Sequence, residues 1–225
     1  MGNLKALVFD LDDTLYPEES YVRSGFQAVA DWLDRAGALK AETAFGSMWS
    51  AHAQGERGRI FDSLLASCPD VPEQVTVAIL LKVYRSHAPS IALYPGMADF
   101  LDQAKAQFPH LGVISDGYLE AQEQKSAAIG LSRWANPILF TDRFGRRFWK
   151  PDPMAFQRIQ AIFAVDPDEI VYIGNDPTKD FHAPKALGWH TVHLVMPHQG
   201  ATGQPLSPAA IQLNGIQELK AHLGA

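Results

Sequence analysis

Three features that are common in other classes of protein are scarce in this sequence: cysteine, clustered basic residues and long apolar runs. The single cysteine, Cys68, cannot form an internal disulfide bond, which favours a reducing, cytoplasmic location. No apolar stretch reaches the roughly 18 to 20 residues of a transmembrane helix, so no membrane span is expected. A formal charge of −6 at pH 7 argues against nucleic acid or an anionic membrane as the partner. We therefore expect a monomer or homodimer that binds a small molecule.

The sequence does contain enough apolar residues for a large core. Of its 225 residues, 47% are hydrophobic, which suits one large domain or a domain with an insert. Runs that are apolar on both faces predict strands of a parallel sheet covered by helices, and they lie at 4–9, 111–114, 137–141, 170–173 and 191–195. Helical spacing of apolar residues follows at 96–108, 118–129, 153–163 and 178–187. This alternation predicts a doubly wound, Rossmann-like α/β core.

One segment interrupts the alternation of strands and helices. Residues 16–92 contain no strand-like run, and their apolar spacing predicts helices near 18–36, 41–53, 58–67 and 72–86. We therefore expect an inserted helical domain at 16–92 and an α/β core domain made of 1–15 and 93–225. Near the C-terminus, 198–208 is predicted to be a loop and 208–223 a helix.

Polar residues cluster where the predicted strands end. The stretch "LVFDLDDTLYP" places Asp10, Asp12, Asp13 and Thr14 after the first strand. Two further strands end in the groups Ser115, Asp116, Gly117 and Gly174, Asn175, Asp176, with Asp180 one turn later. In doubly wound sheets ligands bind beyond these carboxyl ends. Because carboxylate and amide oxygens dominate, without clustered Cys or His, the pattern favours Mg²⁺ over zinc or copper.

These residue types are suited to phosphoryl transfer. A carboxylate beside Mg²⁺ can attack a phosphoryl group and form an aspartyl-phosphate. Asp12, two residues after Asp10, could protonate the leaving oxygen and later take a proton from water, a dual role for which we expect its neighbours to raise its pKa. Ser115 and Thr14 could donate hydrogen bonds to the phosphoryl oxygens. Lys150, in "WKPDP", is the best candidate for a fixed cation.

In their order and spacing these motifs resemble the haloacid dehalogenase (HAD) superfamily, and the resemblance covers essentially the whole chain. It implies that Asp10 is the nucleophile, Asp12 the general acid/base, Ser115 a phosphate ligand and Lys150 the residue that neutralises charge. It also implies Mg²⁺ between the Asp10 carboxylate, the Asp12 main-chain carbonyl and the acidic loop 174–180. The predicted substrate-binding residues are Ser115, Asp116, Gly117 and Lys150. The helical insert then matches the cap of the phosphoglycolate phosphatase and pyrimidine nucleotidase subgroup.

The expected activity is Mg²⁺-dependent hydrolysis of a small phosphorylated metabolite, a phosphomonoester. One departure from the family pattern concerns the loop 174–180, which we call the metal loop. Its sequence "GNDPTKD" places Asn175 in the position expected for a metal-binding Asp. Either the Asn175 oxygen or Asp176 could bind the metal, and Asp180 could act as an acceptor or through water. Two alternatives are a 2-haloacid dehalogenase, which usually lacks the second carboxylate, and a non-enzymatic binding protein with impaired metal binding.

Overall fold

A computed structural model describes residues 4–68, 71–197, 208–209 and 211–224 of the chain. The chain divides into two compact units. One unit consists of Met1–Pro17 together with Ala92–Ala225, and the other of Glu18–Ile91. Each unit has its own hydrophobic core. We refer to them as the core unit and the helical unit.

The core unit is built on a parallel six-stranded sheet with the order β3-β2-β1-β4-β5-β6. Its strands are β1 (Ala6–Phe9), β2 (His110–Ser115), β3 (Ile138–Phe140), β4 (Ile170–Gly174), β5 (His190–Val195) and β6 (Ile211–Asn214). Strand β1 lies between β2 and β4, and Phe9 pairs with both Val113 and Ile173. The carboxyl ends of these strands therefore meet at one edge of the sheet. The predicted doubly wound α/β fold is confirmed.

The helical unit contains α1 (Glu18–Arg35), α2 (Ala41–Ala53), α3 (Ile60–Ala66) and α4 (Val77–Ser86). Apolar side chains from these helices form a core that includes Phe26, Val29, Leu33, Met48, Phe61, Leu64 and Leu80. Helix α4 begins at Val77, later than the predicted 72, because Thr76 is extended and its hydroxyl accepts a hydrogen bond from the Ile79 N–H at 3.3 Å.

Helices α5 (Met97–Gln107), α6 (Leu119–Ala128), α7 (Met154–Phe163), α8 (His182–Ala186) and α9 (Ile216–Leu223) belong to the core unit. Helix α7 packs Phe156, Ile159 and Phe163 into a core cluster with residues of β1 and β4. A Cβ on Gly112 of β2 would lie 3.0 Å from both Ile159 and Phe163, so a glycine lets α7 approach the sheet closely. Across the described ranges, no helix is long and apolar enough to cross a bilayer.

Two predictions about elements of the core unit were wrong in detail. The helix predicted at 178–187 is shorter and confined to His182–Ala186, because the preceding residues form a turn around the Asp180 carboxylate. The helix predicted at 208–223 is a strand followed by a helix, since β6 pairs in parallel with β5 and buries Leu213 before α9 begins. The predicted loop at 198–208 lies almost entirely outside the described residues.

The packing of α1 against α4 generates a stability prediction. A Cβ on Gly25 would lie 2.4 Å from the Tyr84 ring, so Gly25→Ala should force the helices apart and destabilise the protein by about 1–3 kcal/mol. Gly46 in α2 has no heavy atom within 4 Å of its added Cβ. As the matched control, Gly46→Ala should stabilise the protein by about 0.5–1 kcal/mol.

Chemical unfolding followed by circular dichroism measures both changes. If Gly25→Ala unfolds at the same denaturant concentration as the unchanged protein, the close approach between α1 and α4 is not present in solution.

Candidate active site

Strand β1 gives Asp10 a rigid position. All of its residues are buried, and the Asp10 N–H donates to the Ile173 carbonyl at 2.9 Å, which extends the pairing with β4 by one residue. The Asp10 side chain is only 4% exposed. It therefore lies at the carboxyl edge of the sheet with little freedom to move.

Lys150 provides the positive charge beside Asp10. Its Nζ donates to Asp10 Oδ1 at 2.6 Å, to Asp180 Oδ1 at 2.7 Å and to the Tyr172 hydroxyl at 3.1 Å. Asp116 holds the main chain of this lysine, because its two carboxylate oxygens each accept from the Lys150 N–H at 3.1 Å. Asp116 therefore supports the site indirectly, by holding the backbone of Lys150.

The buried charges change each other's ionisation. Burial raises the pKa of Asp10 to about 7, and the Lys150 ammonium opposes this rise. Burial also disfavours the charged form of Lys150, but the neighbouring Asp10 and Asp180 raise its pKa well above the usual value. Lys150 therefore lies between two carboxylates, Asp10 and Asp180, and is ion-paired with both.

Asp12 lies in a different environment from Asp10. Lys125 Nζ donates to both oxygens of Asp12 at 2.8 and 2.9 Å, Gln122 Nε2 donates at 3.1 Å, and the Tyr16 hydroxyl donates to Oδ1. Burial raises the pKa of the Asp12 carboxyl, but Lys125, Tyr16 and Gln122 together bring this pKa below its ordinary value. The prediction that neighbours raise the pKa of Asp12 was therefore wrong.

Ser115 is the last residue of β2 and Gly117 follows the strand, and both lie beside Gln122 of α6. The Ser115 hydroxyl donates to Gln122 Oε1 at 3.1 Å. Gly117 has a φ of 125°, and a Cβ there would lie 2.3 Å from Gln122 Nε2. Both the backbone conformation and the space beside Gln122 therefore require glycine at this position.

The loop 174–180 is organised by Asp180. Its Oδ2 accepts from the N–H groups of Asn175 and Asp176 at 3.1 and 2.9 Å, while Oδ1 accepts from Lys150 and Tyr172. A Cβ on Gly174 would lie 2.4 Å from Asp180 Oδ2, so the strand end needs a glycine to let this carboxylate approach. Both oxygens of Asp180 are occupied by protein donors.

Asn175 and Asp176 point in different directions. Asn175 Oδ1 lies 3.4 Å from the Thr14 hydroxyl, on the loop after β1. Asp176 Oδ1 instead accepts from the Thr178 N–H and hydroxyl at 2.9 and 2.6 Å, within its own loop. Of the two residues, Asn175 is therefore the one whose side-chain oxygen faces the loop that carries Asp10.

Four residues near the site were not predicted from the sequence: Tyr16, Gln122, Lys125 and Lys179. Gln122 and Lys125 are three residues apart on α6, the spacing of one helix face, and this spacing was the available signal. Lys179 lies with its Nζ 3.6 Å from Asp176 Oδ2. Burial lowers the pKa of Lys179, but Asp10, Asp180 and Asp176 raise it above its usual value, so a second ammonium acts on this site.

The donor set fits a hard divalent cation. Among the described residues, no group of three or more His, Cys, Asp or Glu side chains could hold a metal by itself. Asp10 nevertheless has one carboxylate oxygen, Oδ2, to which no described residue donates. The Asn175 amide oxygen faces the loop after β1, which follows Asp10. Mg²⁺ commonly uses one or two carboxylates and fills its other positions with water and substrate phosphate. Asp10 and Asn175 match that pattern.

Several curated proteins are similar to this chain over most of their length. The glyceraldehyde 3-phosphate phosphatase of Methanopyrus kandleri is 26% identical over 199 residues, which covers 85% of this chain and 84% of that protein. The phosphoserine phosphatase of Thermus thermophilus is 25% identical and covers 84% of this chain and 88% of that protein.

Solved structures share the fold. The HAD-hydrolase YfnB from Bacillus subtilis has a TM-score of 0.72 at 19% identity, covering 99% of this chain and 100% of that chain. The defluorinating L-2-haloacid dehalogenase Rha0230 has a TM-score of 0.65 at 23% identity, covering 99% and 96%. The family model described as haloacid dehalogenase-like hydrolase matches residues 4–188, which include every polar cluster at the carboxyl edge of the sheet. The chain therefore belongs to the haloacid dehalogenase-like hydrolases.

Proposed function

We propose that this protein is a divalent-metal-dependent phosphatase that hydrolyses a small phosphomonoester through an aspartyl-phosphate on Asp10. The observation that carries this proposal is the environment of Asp10. Its carboxylate is buried and forms an ion pair with Lys150 through Oδ1, while none of the described residues donates a hydrogen bond to Oδ2. Curated relatives that match most of the chain are named as phosphatases of small phosphorylated metabolites, which supports the substrate class.

The first step of the proposed reaction transfers the phosphoryl group to the protein. An oxygen of Asp10 attacks phosphorus, a phosphorus–oxygen bond forms, and the bond to the leaving oxygen breaks. Lys150, fixed 2.6 Å from Asp10, keeps an ammonium beside the reacting group and limits repulsion between the carboxylate and the phosphate. The hydroxyls of Ser115 and Thr14 are proposed to donate to the phosphoryl oxygens.

The second step releases inorganic phosphate. Water attacks the phosphorus of the aspartyl-phosphate, the bond to Asp10 breaks, and the carboxylate is regenerated. Asp12 is proposed to transfer the protons: it takes one from the attacking water in the second step and gives that proton to the leaving oxygen in the first step of the next turnover. Its carboxylate accepts hydrogen bonds from Lys125, Gln122 and Tyr16, and the ionised form that these donors favour is the one that accepts a proton from water.

The proposed metal ligands are Asp10, the Asp12 main-chain carbonyl and Asn175. When bound, a divalent cation supplies positive charge that stabilises the phosphoryl oxygens in the transition state. We assign Asp180 to the support of Lys150 and the metal loop, because both of its oxygens already accept from protein donors. The helical unit is proposed to be the cap domain of the family.

The nucleophile assignment predicts the behaviour of Asp10→Asn. Turnover of p-nitrophenyl phosphate with Mg²⁺ should fall on the order of a thousand-fold or more, because the amide cannot form the acyl-phosphate. Asp99→Asn, at an exposed position in α5, is the matched control and should retain turnover.

Halide release from a 2-haloacid is measured beside phosphate release, since dehalogenases share the fold. Halide release without phosphate release by the unchanged protein would replace the proposed function with dehalogenation. Undiminished phosphatase activity in Asp10→Asn would remove Asp10 from the role of nucleophile.

The orientation of the metal loop predicts how Mg²⁺ binding responds to charge. Asn175→Asp should tighten Mg²⁺ binding about ten-fold, because a carboxylate ligand replaces a neutral amide where the side chain faces the Asp10 loop. Asp176→Asn removes a carboxylate that is directed into its own loop and should change the affinity less than about two-fold.

Isothermal titration calorimetry with Mg²⁺ alone measures both affinities without substrate. Loss of binding in Asp176→Asn, with no gain in Asn175→Asp, would identify Asp176 as the ligand instead.

A further inference from the structure

Helix α6 carries two polar residues on its buried face. The side chain of Lys125 is 3% exposed, and Gln122 is 3% exposed overall. Removing an ammonium from water is costly unless a partner of opposite charge is close. An apolar residue of similar length at position 125 would fill this space without that cost, so the presence of lysine needs an explanation beyond packing.

Asp12 is the partner of Lys125. The ammonium lies 2.8 and 2.9 Å from the two carboxylate oxygens, and Tyr16 donates to Oδ1 from the same loop. A carboxylate that is held through both oxygens has its side-chain torsions restricted. Lys125 therefore determines the direction in which Asp12 presents its oxygens.

Gln122 connects two of the polar clusters. Its amide nitrogen donates to Asp12 Oδ2 at 3.1 Å, and its amide oxygen accepts from the Ser115 hydroxyl at 3.1 Å. The carboxyl end of β1 is thereby linked through one side chain to the carboxyl end of β2. The Cβ-free backbone of Gly117 leaves the space in which this amide lies.

We propose that Gln122 and Lys125 are positioning residues of the reaction, which act by fixing the Asp12 carboxylate relative to Ser115. This inference rests on the proposed phosphatase function. Lys125 donates to the proton-transfer group, whereas Gln122 also aligns that group with a hydroxyl that is proposed to bind phosphate. The two side chains should therefore have different kinetic signatures.

Steady-state hydrolysis of p-nitrophenyl phosphate with Mg²⁺ separates these signatures. Lys125→Met should lower kcat about ten-fold and leave KM within about two-fold, because the change acts on Asp12, which is proposed to transfer protons and not to bind phosphate. Gln122→Met should lower kcat by a similar factor and also raise KM, since the Ser115 hydroxyl loses the side chain that holds it in position. Gln124→Met, the same substitution at a half-buried position of α6 without a side-chain hydrogen bond in the described residues, is the matched control and should behave like the unchanged protein.

Combination with Asp12→Asn tests whether the residues act through Asp12. Adding Gln122→Met or Lys125→Met to Asp12→Asn should lower kcat less than about two-fold further, because the carboxylate to be positioned is already gone. A substitution that only disturbed the fold would lower kcat by the same factor in either background. Thermal unfolding of each variant confirms that it is folded. If Lys125→Met does not fold, Gln122→Met provides the test, because it keeps the Lys125–Asp12 ion pair.

Independent, multiplicative losses in the double variants would overturn the inference, as would normal kcat in both single variants. Either result leaves the proposed function standing if the unchanged protein hydrolyses the ester. If the unchanged protein releases no phosphate from any ester, the proposed function and the inference both fail.

Discussion

The buried ion cluster of Asp10, Lys150 and Asp180 is the interaction on which the site depends. One ammonium lies within 2.7 Å of two carboxylates, with none of the three side chains more than 4% exposed. Taking such charges out of water is unfavourable unless geometry and hydrogen bonds are nearly complete. The fold supplies both, because β1 fixes Asp10, Asp116 holds the Lys150 backbone, and the second oxygen of Asp180 binds two N–H groups of the loop 174–180. A change in any of these supports would move the proposed nucleophile and its counter-charge together.

Asp10 and Asp12 show how two neighbouring carboxylates acquire different properties. Burial dominates at Asp10 and raises its pKa, whereas the donors around Asp12 outweigh burial and lower its pKa. Titratable groups whose environments separate their pKa values are typical of acid–base pairs with distinct roles. The separation originates in the burial of Asp10 on one side and, on the other, in the donors around Asp12, which are Lys125 and Gln122 of α6 and the nearby Tyr16. The motif places the carboxylates, and the surrounding elements determine what each can do.

The sequence predicted those parts of the molecule that rest on a strong local pattern. Strands β1, β2 and β4 are apolar on both faces, so the sheet and the polar groups at its edge could be anticipated, including the meeting of Asp10 with Lys150. The roles of Gln122 and Lys125 could not be anticipated in this way. Polar residues on a helix are mostly solvated, and the burial of these two depends on the tertiary packing of α6. Strand β6 was missed for a similar reason: its sequence "IQLN" is too short to separate from a helix without knowledge of its partner β5.

The neutral Asn175 is consistent with the charge balance of the site. Two ammonium groups, Lys150 and Lys179, act on Asp10 and Asp180, so the cluster does not need a further carboxylate to be balanced. A carboxylate at position 175 would add like charge near two buried anions, whereas the amide oxygen accepts from Thr14 without adding charge. The loop is held in place by the bonds from Asp180 to its N–H groups, and these bonds do not require a cation. A metal ion would then meet oxygen atoms that are already oriented, and oriented groups need little rearrangement when charge arrives.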